Sequence, residues 1–290
     1  MNRLTQIIRL LPLLGAVLSP GWMVSDVCGA SAKKVRTVVQ SDVAAQVNPE
    51  GFVASVGGYR RWIMGTDKSL GIPSSYLQTG VGIASTPAYG RASMHAEWLA
   101  AVFVKLRIEY DYYRFYGTNT SLLSFPSGTA PFGRADVDAV EGTEQAGNGN
   151  RFLIRPTLYA KAGPLVIMNQ TDIAYFHFTG RGPYFLEWTY ETLLRDRDHL
   201  VENRTNALYE AVKGPGAASL LIGPYYEILH TVAADLNRQR AGVMALWVPY
   251  DAPGALKRPR LFTQVGYYLQ DRNREGELTG AIAIGFDIDL

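Results

Sequence analysis

"VFVKLRIEYDYYRFYG", residues 102 to 117, sets a charge at every second position in its middle. Lys105, Arg107, Glu109 and Asp111 alternate with Val104, Leu106, Ile108 and Tyr110. On a helix, a step of two residues turns the side chain by about 200°, which scatters four such charges around the whole circumference. On a strand the same step returns to the same face. The charges then share one side, and Val102, Val104, Leu106, Ile108, Tyr110 and Tyr112 take the other. The stretch reads as a strand with one ionic face and one apolar face.

The alternation recurs along the chain. In 88 to 100, Ala92, Met94, Ala96 and Trp98 oppose Arg91, Ser93, His95 and Glu97. In 151 to 162, Ile154, Leu158 and Ala160 oppose Arg155, Thr157, Tyr159 and Lys161. In 199 to 212, Ala207, Tyr209 and Ala211 oppose Glu202, Arg204, Asn206 and Glu210. Segments 259 to 271 and 278 to 290 repeat the pattern, and weaker runs lie at 51 to 63, 165 to 178, 217 to 231 and 240 to 250. In 165 to 178 the pattern leaves open which face is which, because Asn169 and Asp172 fall on opposite sides.

Alternation fits a half-buried soluble sheet as well as a membrane barrel. Length separates them: several runs reach 12 residues or more, whereas strands of about 5 or 6 are typical of globular sheets. Many of the 17 tyrosines and several tryptophans fall toward strand ends, among them Trp98, Tyr116, Trp247, Tyr250 and Tyr267. That is the position of an interfacial aromatic girdle. The formal net charge of +2 and the lack of a basic stripe give no case for nucleic acid. "SAKKVR" at 31 to 36 and "LKRPR" at 256 to 260 read as solvated turns.

Residues 1–32 read as a secretory signal: Arg3 and Arg9, then "LLPLLGAVL", then Ala30-Ser31-Ala32. The single cysteine, Cys28, precedes that cut, so a mature chain starting near Lys33 carries no disulfide and no thiol chemistry. No later segment has the roughly 18 consecutive apolar residues of a spanning helix.

The spacers suggest a direction of travel. With 33–50 as a short periplasmic lead and 51–290 as the barrel, ten antiparallel strands bring both termini to one side. Long loops then lie on the other side at 64 to 87, 117 to 150 and 179 to 198. Promoting 76 to 86 and 184 to 193 to strands gives twelve. Ten is the preferred reading. The fold class is all-β, a single antiparallel transmembrane barrel.

With its signal, alternating strands and closing "LTGAIAIGFDIDL", the chain resembles bacterial outer-membrane β-barrel proteins over 51 to 290. In that class the last strand carries alternating apolar residues that the barrel insertion machinery reads. Ile282, Ile284, Phe286 and Ile288 match, although the final residue is Leu290 rather than an aromatic. The resemblance implies lipid around the apolar faces and the insertion machinery as a partner of 278–290.

Arg or Lys on the lipid side near the midplane costs about 2–4 kcal/mol. The ionic faces are therefore expected to line the lumen: Arg91, His95, Glu97, Lys105, Arg107, Glu109, Asp111, Arg155, Lys161, Glu202 and Arg204. About eight strands give a filled interior and sixteen an open channel. Ten strands imply a lumen largely plugged by charges pairing across it, serving structure or a narrow path for small solutes or ions.

Catalytic signals are thin. His95, His177, His199 and His230 lack zinc-motif spacing, and no metal or cofactor motif is visible. Ser93 and His95 share a face that points inward, unlike the lipid-facing pair of an outer-membrane phospholipase, which they resemble in spacing. Asp196, Asp198 and His199 in "RDRDHL" resemble the residue types of ten-strand surface proteases but lack that family's spacing and second acidic pair. A surface hydrolase at 179–198 and a soluble periplasmic β protein are the rival readings.

Overall fold

Twelve of the chain's strands close into one antiparallel barrel, in a computed structural model that describes residues 34–48, 50–67, 72–213, 219–249 and 256–290. The signal segment 1–32, Cys28, Tyr250 and most of the expected turn at 213–216 lie outside the described residues. In chain order the strands are β1 (Val35–Val47), β2 (Gly51–Asp67), β3 (Ile72–Ser85), β4 (Tyr89–Ala101), β5 (Val104–Tyr116), β6 (Ser124–Phe125), β7 (Ala146–Ala162) and β8 (Leu165–Thr179). There follow β9 (Tyr184–Glu187), β10 (Thr192–Arg195), β11 (Arg197–Lys213), β12 (Ser219–Thr231), β13 (Leu236–Val248), β14 (Leu256–Gln270) and β15 (Leu278–Asp289). One short helix, α1 (Arg134–Ala139), lies between β6 and β7. The barrel order is β1-β15-β14-β13-β12-β11-β8-β7-β5-β4-β3-β2, and β10-β9-β6 form a separate small sheet.

Three expectations change. The segment 33–50, expected as a lead, contains β1, which closes the barrel against β15 from Val38↔Asp289 to Val47↔Gly280. The segment 64–87, expected as an outer loop, contains β3. Ten strands therefore become twelve, and β2 runs opposite to the direction inferred for 51 to 63. Of the two segments that the twelve-strand alternative adds, 76–86 does enter the barrel, but 184–193 forms the β9–β10 hairpin instead.

Both added strands hide behind mild side chains. The enclosed face of β1 is Val38, Gln40, Asp42 and Ala44, and that of β3 includes Gly80 and Gly82. Neither carries the charge rhythm of β5.

Burial settles which face is which. On β5, Lys105, Arg107, Glu109, Asp111, Tyr113 and Phe115 are all buried, while Ile108, Tyr110, Tyr112 and Tyr116 are exposed. The outside is apolar across the barrel: Val81 is 65% exposed, Ile83 61%, Val265 59% and Ile284 60%. A barrel strand such as β5 has 13 residues. At about 3.4 Å per residue and a tilt of about 40°, it rises roughly 34 Å, enough for an apolar band of about 25 Å. Among the described residues no helix is long and apolar enough to cross a membrane.

On β8, Asp172 turns inward and Asn169 outward. Asn169 Nδ2 donates to Asn203 Oδ1 at 3.0 Å and to Thr205 Oγ1 at 2.8 Å. Asn203 Nδ2 donates back to Asn169 Oδ1 at 3.1 Å and to Thr171 Oγ1 at 2.7 Å. The quartet satisfies its own amides on an otherwise apolar wall, as hydrocarbon demands.

Strand ends define two rims. The described chain's ends and the tight 102–103 and 163–164 turns share one rim, the terminal end. Gly163 makes the second turn with φ +59, a backbone that glycine adopts without strain. The opposite rim, the loop end, carries the long connections 117–145 and 180–196, which hold β6, α1, β9 and β10.

Candidate functional site

The ionic faces of β4, β5 and β7 pair along the wall. Arg151 Nε donates to Asp111 Oδ2 at 2.6 Å and its Nη2 to Glu109 Oε1 at 2.7 Å. Arg107 bonds Glu109 and lies 3.7 Å from Glu97, which also faces Lys105 at 3.8 Å and accepts from Tyr76 Oη at 2.7 Å. Arg91 lies 3.7 Å from Asp111. Farther round, Arg155 holds Asp172 through two contacts of 2.6 Å. On β11 to β13, Glu227 accepts from Arg204, from Arg238 Nη2 at 2.7 Å and from Arg240 Nε at 2.8 Å. Glu202 joins through Arg238 at 3.2 Å and Arg204 at 3.5 Å.

These pairs join charges on the same or nearby strands, so they line the lumen wall. The "LKRPR" segment also departs from its expectation. Arg258 and Arg260 are buried, and Arg260 bonds Asp42 at 2.6 Å and Asp287 at 2.7 Å.

What spans the lumen is the β9–β10 hairpin. Phe185, Leu186, Trp188, Tyr190, Leu193 and Leu194 are all buried. Phe185, Tyr190 and Leu194 pack among inward-facing Tyr113, Phe115, Leu153, Phe176 and Phe178 of the barrel. Leu186, Trp188 and Leu193 pack against Leu123, Phe125, Phe132 and Val137 of the neighbouring connection.

The hairpin tip reaches both walls. On one side Tyr190 Oη donates to Asp172 Oδ2 at 2.9 Å, with Arg151 Nη1 at 3.3 Å. On the other, Glu191 accepts from Tyr268 Oη at 2.6 Å, Arg240 Nη1 at 3.2 Å, Arg274 Nη1 at 3.3 Å, Arg238 Nη1 at 3.4 Å and Gln46 Nε2 at 3.2 Å. Arg274 Nη2 also donates to the Glu191 carbonyl at 3.0 Å. In the barrel order β8, which carries Asp172, and β14, which carries Tyr268, stand four places apart of twelve. The tip therefore bridges separate walls of the barrel.

Glu191 makes this bridge in the left-handed backbone region, at φ +51. Non-glycine residues in that region are uncommon and repay a search for function. Burial alone would raise its pKa, but Arg240, Arg238, Arg274 and the Tyr268 hydroxyl outweigh burial and hold the carboxyl below its ordinary value. Glu187, four residues back, goes the other way: burial raises it despite a 2.7 Å bond from the Tyr190 amide. Burial and the Asp172 charge together push the Tyr190 hydroxyl well above its ordinary value.

Facing the arginines across the remaining space is a wall of small residues. Ser55 and Gly57 of β2 and Gly80 and Gly82 of β3 occupy inward positions. A Cβ on Gly80 would fall 2.4 Å from His95 Cε1. The cavity left beside the hairpin measures about 140 Å³ and touches Gly57, Gly82, His95, Arg107, Arg155, Tyr190 and Glu191. A pocket for a drug-sized molecule takes about 300–1,000 Å³, so this space is sized for waters or a small ion.

The expected lumen set can now be placed. Glu97, Lys105, Arg107, Glu109, Asp111, Glu202 and Arg204 are buried on the enclosed side, and Arg91, His95 and Arg155 are half-buried there. Lys161 instead sits exposed near the terminal end, 2.9 Å from Glu210.

The rim residues Asp196, Asp198 and His199 do not converge. Asp196 is exposed beside Arg195. Asp198 is buried, and its carboxylate accepts the amides of Arg195, His199 and Ala233 at 3.0, 2.8 and 2.8 Å. His199 points outward and packs on Tyr175 with ring centroids 5.0 Å apart. Ser93 Oγ donates to Asp111 Oδ1 at 2.5 Å, while His95 contacts Gln78, so that pair is also divided.

A closed ladder with an apolar exterior and an ionic interior satisfies every demand hydrocarbon makes of a spanning sheet. This is the architecture of a membrane-spanning β-barrel. No protein-family model matches the chain, and no curated protein matches it. Among solved structures it is similar to the β domain of the Bordetella autotransporter BrkA, at 10% identity and TM-score 0.42, over 88% of this chain and 99% of that one. An outer membrane channel from Pseudomonas putida F1 is similar at 10% identity and TM-score 0.42, over 94% and 100%. The KdgM porin in complex with disordered oligogalacturonate is similar at 7% identity and TM-score 0.40, over 87% and 99%.

Proposed function

We propose that the protein is a plugged outer-membrane barrel whose passage is controlled by the β9–β10 hairpin. The loop end faces the exterior and the terminal end the periplasm, following the usual placing of long loops and short turns in such barrels. In this reading the hairpin leaves a path for water and small ions only, and larger solutes pass when it moves. The observation that carries the proposal is the simultaneous hold of Tyr190 on Asp172 and of Glu191 on Tyr268 and Arg240.

The same reading makes the protein non-enzymatic. Asp198 is committed to three backbone amides, and His199 faces away from it. Partners are then outer-membrane lipid on the apolar wall and the insertion machinery at 278–290. The test is single-channel recording after reconstitution in planar bilayers. The wild type should give small, brief currents, and a chain lacking 185–194 should give a large steady one. A large steady current from the wild type refutes the proposal.

A further inference from the structure

Arginines of the lumen wall are answered by carboxylates, but two arginines on the outer wall are not. Arg114 of β5 alternates with buried Tyr113 and Phe115, and Arg197 of β11 precedes buried Asp198, so both face outward, and both are exposed. Among the described residues neither meets a carboxylate, and the nearby Asp196 faces Arg195 at 3.6 Å. Arg114 Nη1 donates to an uncharged partner, Asn148 Oδ1, at 3.0 Å.

Both arginines stand at the loop end of four neighbouring strands, β5, β7, β8 and β11, whose outward residues lie in register. One row, Tyr110↔Phe152↔Tyr175↔His199, is aromatic throughout. A step nearer the rim lies Tyr112↔Asn150↔His177↔Arg197, and a step beyond that Arg114↔Asn148↔Thr179. Tyr112 Oη donates to Asn148 Oδ1 at 2.8 Å and Tyr110 Oη to Asn150 Oδ1 at 2.5 Å, which leaves both amide Nδ2 groups as donors. Three strand spacings and one row step set the backbone positions of Arg114 and Arg197 about 15 Å apart. The far side of the same rim has a different chemistry: Asn237, Gln239 and Gln270 face outward there, and Glu277 is exposed in the turn. The uncompensated positive charge is therefore a feature of one sector, not of the whole girdle.

An arginine fork matches a phosphate, and at the membrane interface an outward arginine costs little. We propose that the β5–β11 sector binds a phosphorylated glycolipid of the outer leaflet, with its acyl chains on the aromatic row. Arg114 and Arg197 each take one phosphate, and Asn148, Asn150 and His177 between them take sugar hydroxyls. Two phosphates held apart by a saccharide complement two cations held apart by three strand spacings, whereas a simple phospholipid brings one. The choice of leaflet rests on the loop end facing the exterior, as above; the site itself does not depend on the plug.

The probe is bisphosphorylated lipid A, with the same lipid stripped of phosphate and phosphatidylglycerol as counterparts. Each is titrated into the full mature barrel in neutral detergent and read by native mass spectrometry. Lipid A should be held at least about tenfold more tightly than either counterpart. The double variant Arg114→Gln/Arg197→Gln should reduce that preference to about threefold or less. Arg60→Gln removes an exposed outward arginine opposite Thr37 in the terminal half of β2, and should leave the preference unchanged. Equal binding of the stripped lipid, phosphatidylglycerol held as tightly as lipid A, or a preference unmoved in the double variant each overturns the proposal. So does a dimer of barrels that the double variant dissociates, which gives the sector to a second copy. The three-lipid comparison on the wild type needs no variant to fold. Detergent has no sides and conductance plays no part, so a failed plug or a reversed orientation is told apart from a failed site.

Discussion

Replacing Glu191 with Gln should release the hairpin while leaving the barrel intact. Six buried apolar side chains of the hairpin contribute about 1.5–3 kcal/mol each. Ordering the residues from Tyr184 to Arg195 costs about 1–2 kcal/mol each. The two sums are of the same size, so the polar latch decides the balance. Deleting the Glu191 charge removes the carboxylate that Arg238, Arg240 and Arg274 share, leaving Arg238 and Arg240 with Glu227 and Arg274 with Asp271. Breaking one partner out of a buried ionic network costs about 3–5 kcal/mol, a roughly 100- to 4,000-fold rise in the open population. Amide exchange over 184–195 should speed by about that factor, while exchange in β5 and β12 stays unchanged, and bilayer recordings should show long openings. Unaltered exchange at 184–195 in a Glu191→Gln barrel that still migrates as folded on unboiled gels would refute the reasoning.

Acid should act as the mutation does. The Glu191 carboxyl is held below its ordinary value of 4.5, so its stabilisation is complete above that pH and is lost as pH falls through the lower folded-state value. Openings should therefore lengthen only below about pH 4.5. Glu187 has the opposite sign: burial raises it, so ionisation costs stability as pH rises past its ordinary value, and Glu187→Gln should leave the hairpin as closed as before or more so at neutral pH, read by the same exchange. Gly82→Phe should bring the residual current near zero, because a Cβ there meets only ordinary contacts, Val56 O at 3.5 Å and Gly57 Cα at 3.6 Å, and the ring then enters the lumen space. On the lipid face, Asn203→Leu alone should cost about 1–2 kcal/mol by stranding Asn169 Oδ1, and the double change with Asn169→Leu should recover most of it; denaturant unfolding from vesicles measures both.

The barrel was legible wherever charge and grease alternate strongly, because a wrong face there costs several kcal/mol per residue and the chain cannot equivocate. Segments 88–100, 102–116, 151–162 and 278–290 were read as strands on that ground, and β4, β5, β7 and β15 occupy them. Strand β1 carries no such signal, and β3 enters only through the twelve-strand alternative, because Gln40 and Gly82 border the lumen cavity, where nothing forces a large or charged side chain, and Gly80 is kept small by His95. Two missed strands preserve parity, which is why every strand direction after 88 was still right.

The hairpin was misjudged for a different reason. Its sequence "PYFLEWTYETLL", 183 to 194, is far too apolar for a loop bathed in water, and that was the available signal. Neither period of two nor period of 3.6 describes a segment buried by a surrounding wall instead of by its own sheet, so pattern reading had no template for it. The partners of Glu191 lie at 46, 238, 240, 268 and 274 in the chain; four come from β13, β14 and the turn after it, and closure through β1 and β15 adds Gln46. An ionic face tells that a lumen exists; which carboxylate three arginines converge on depends on where the β9–β10 hairpin enters it.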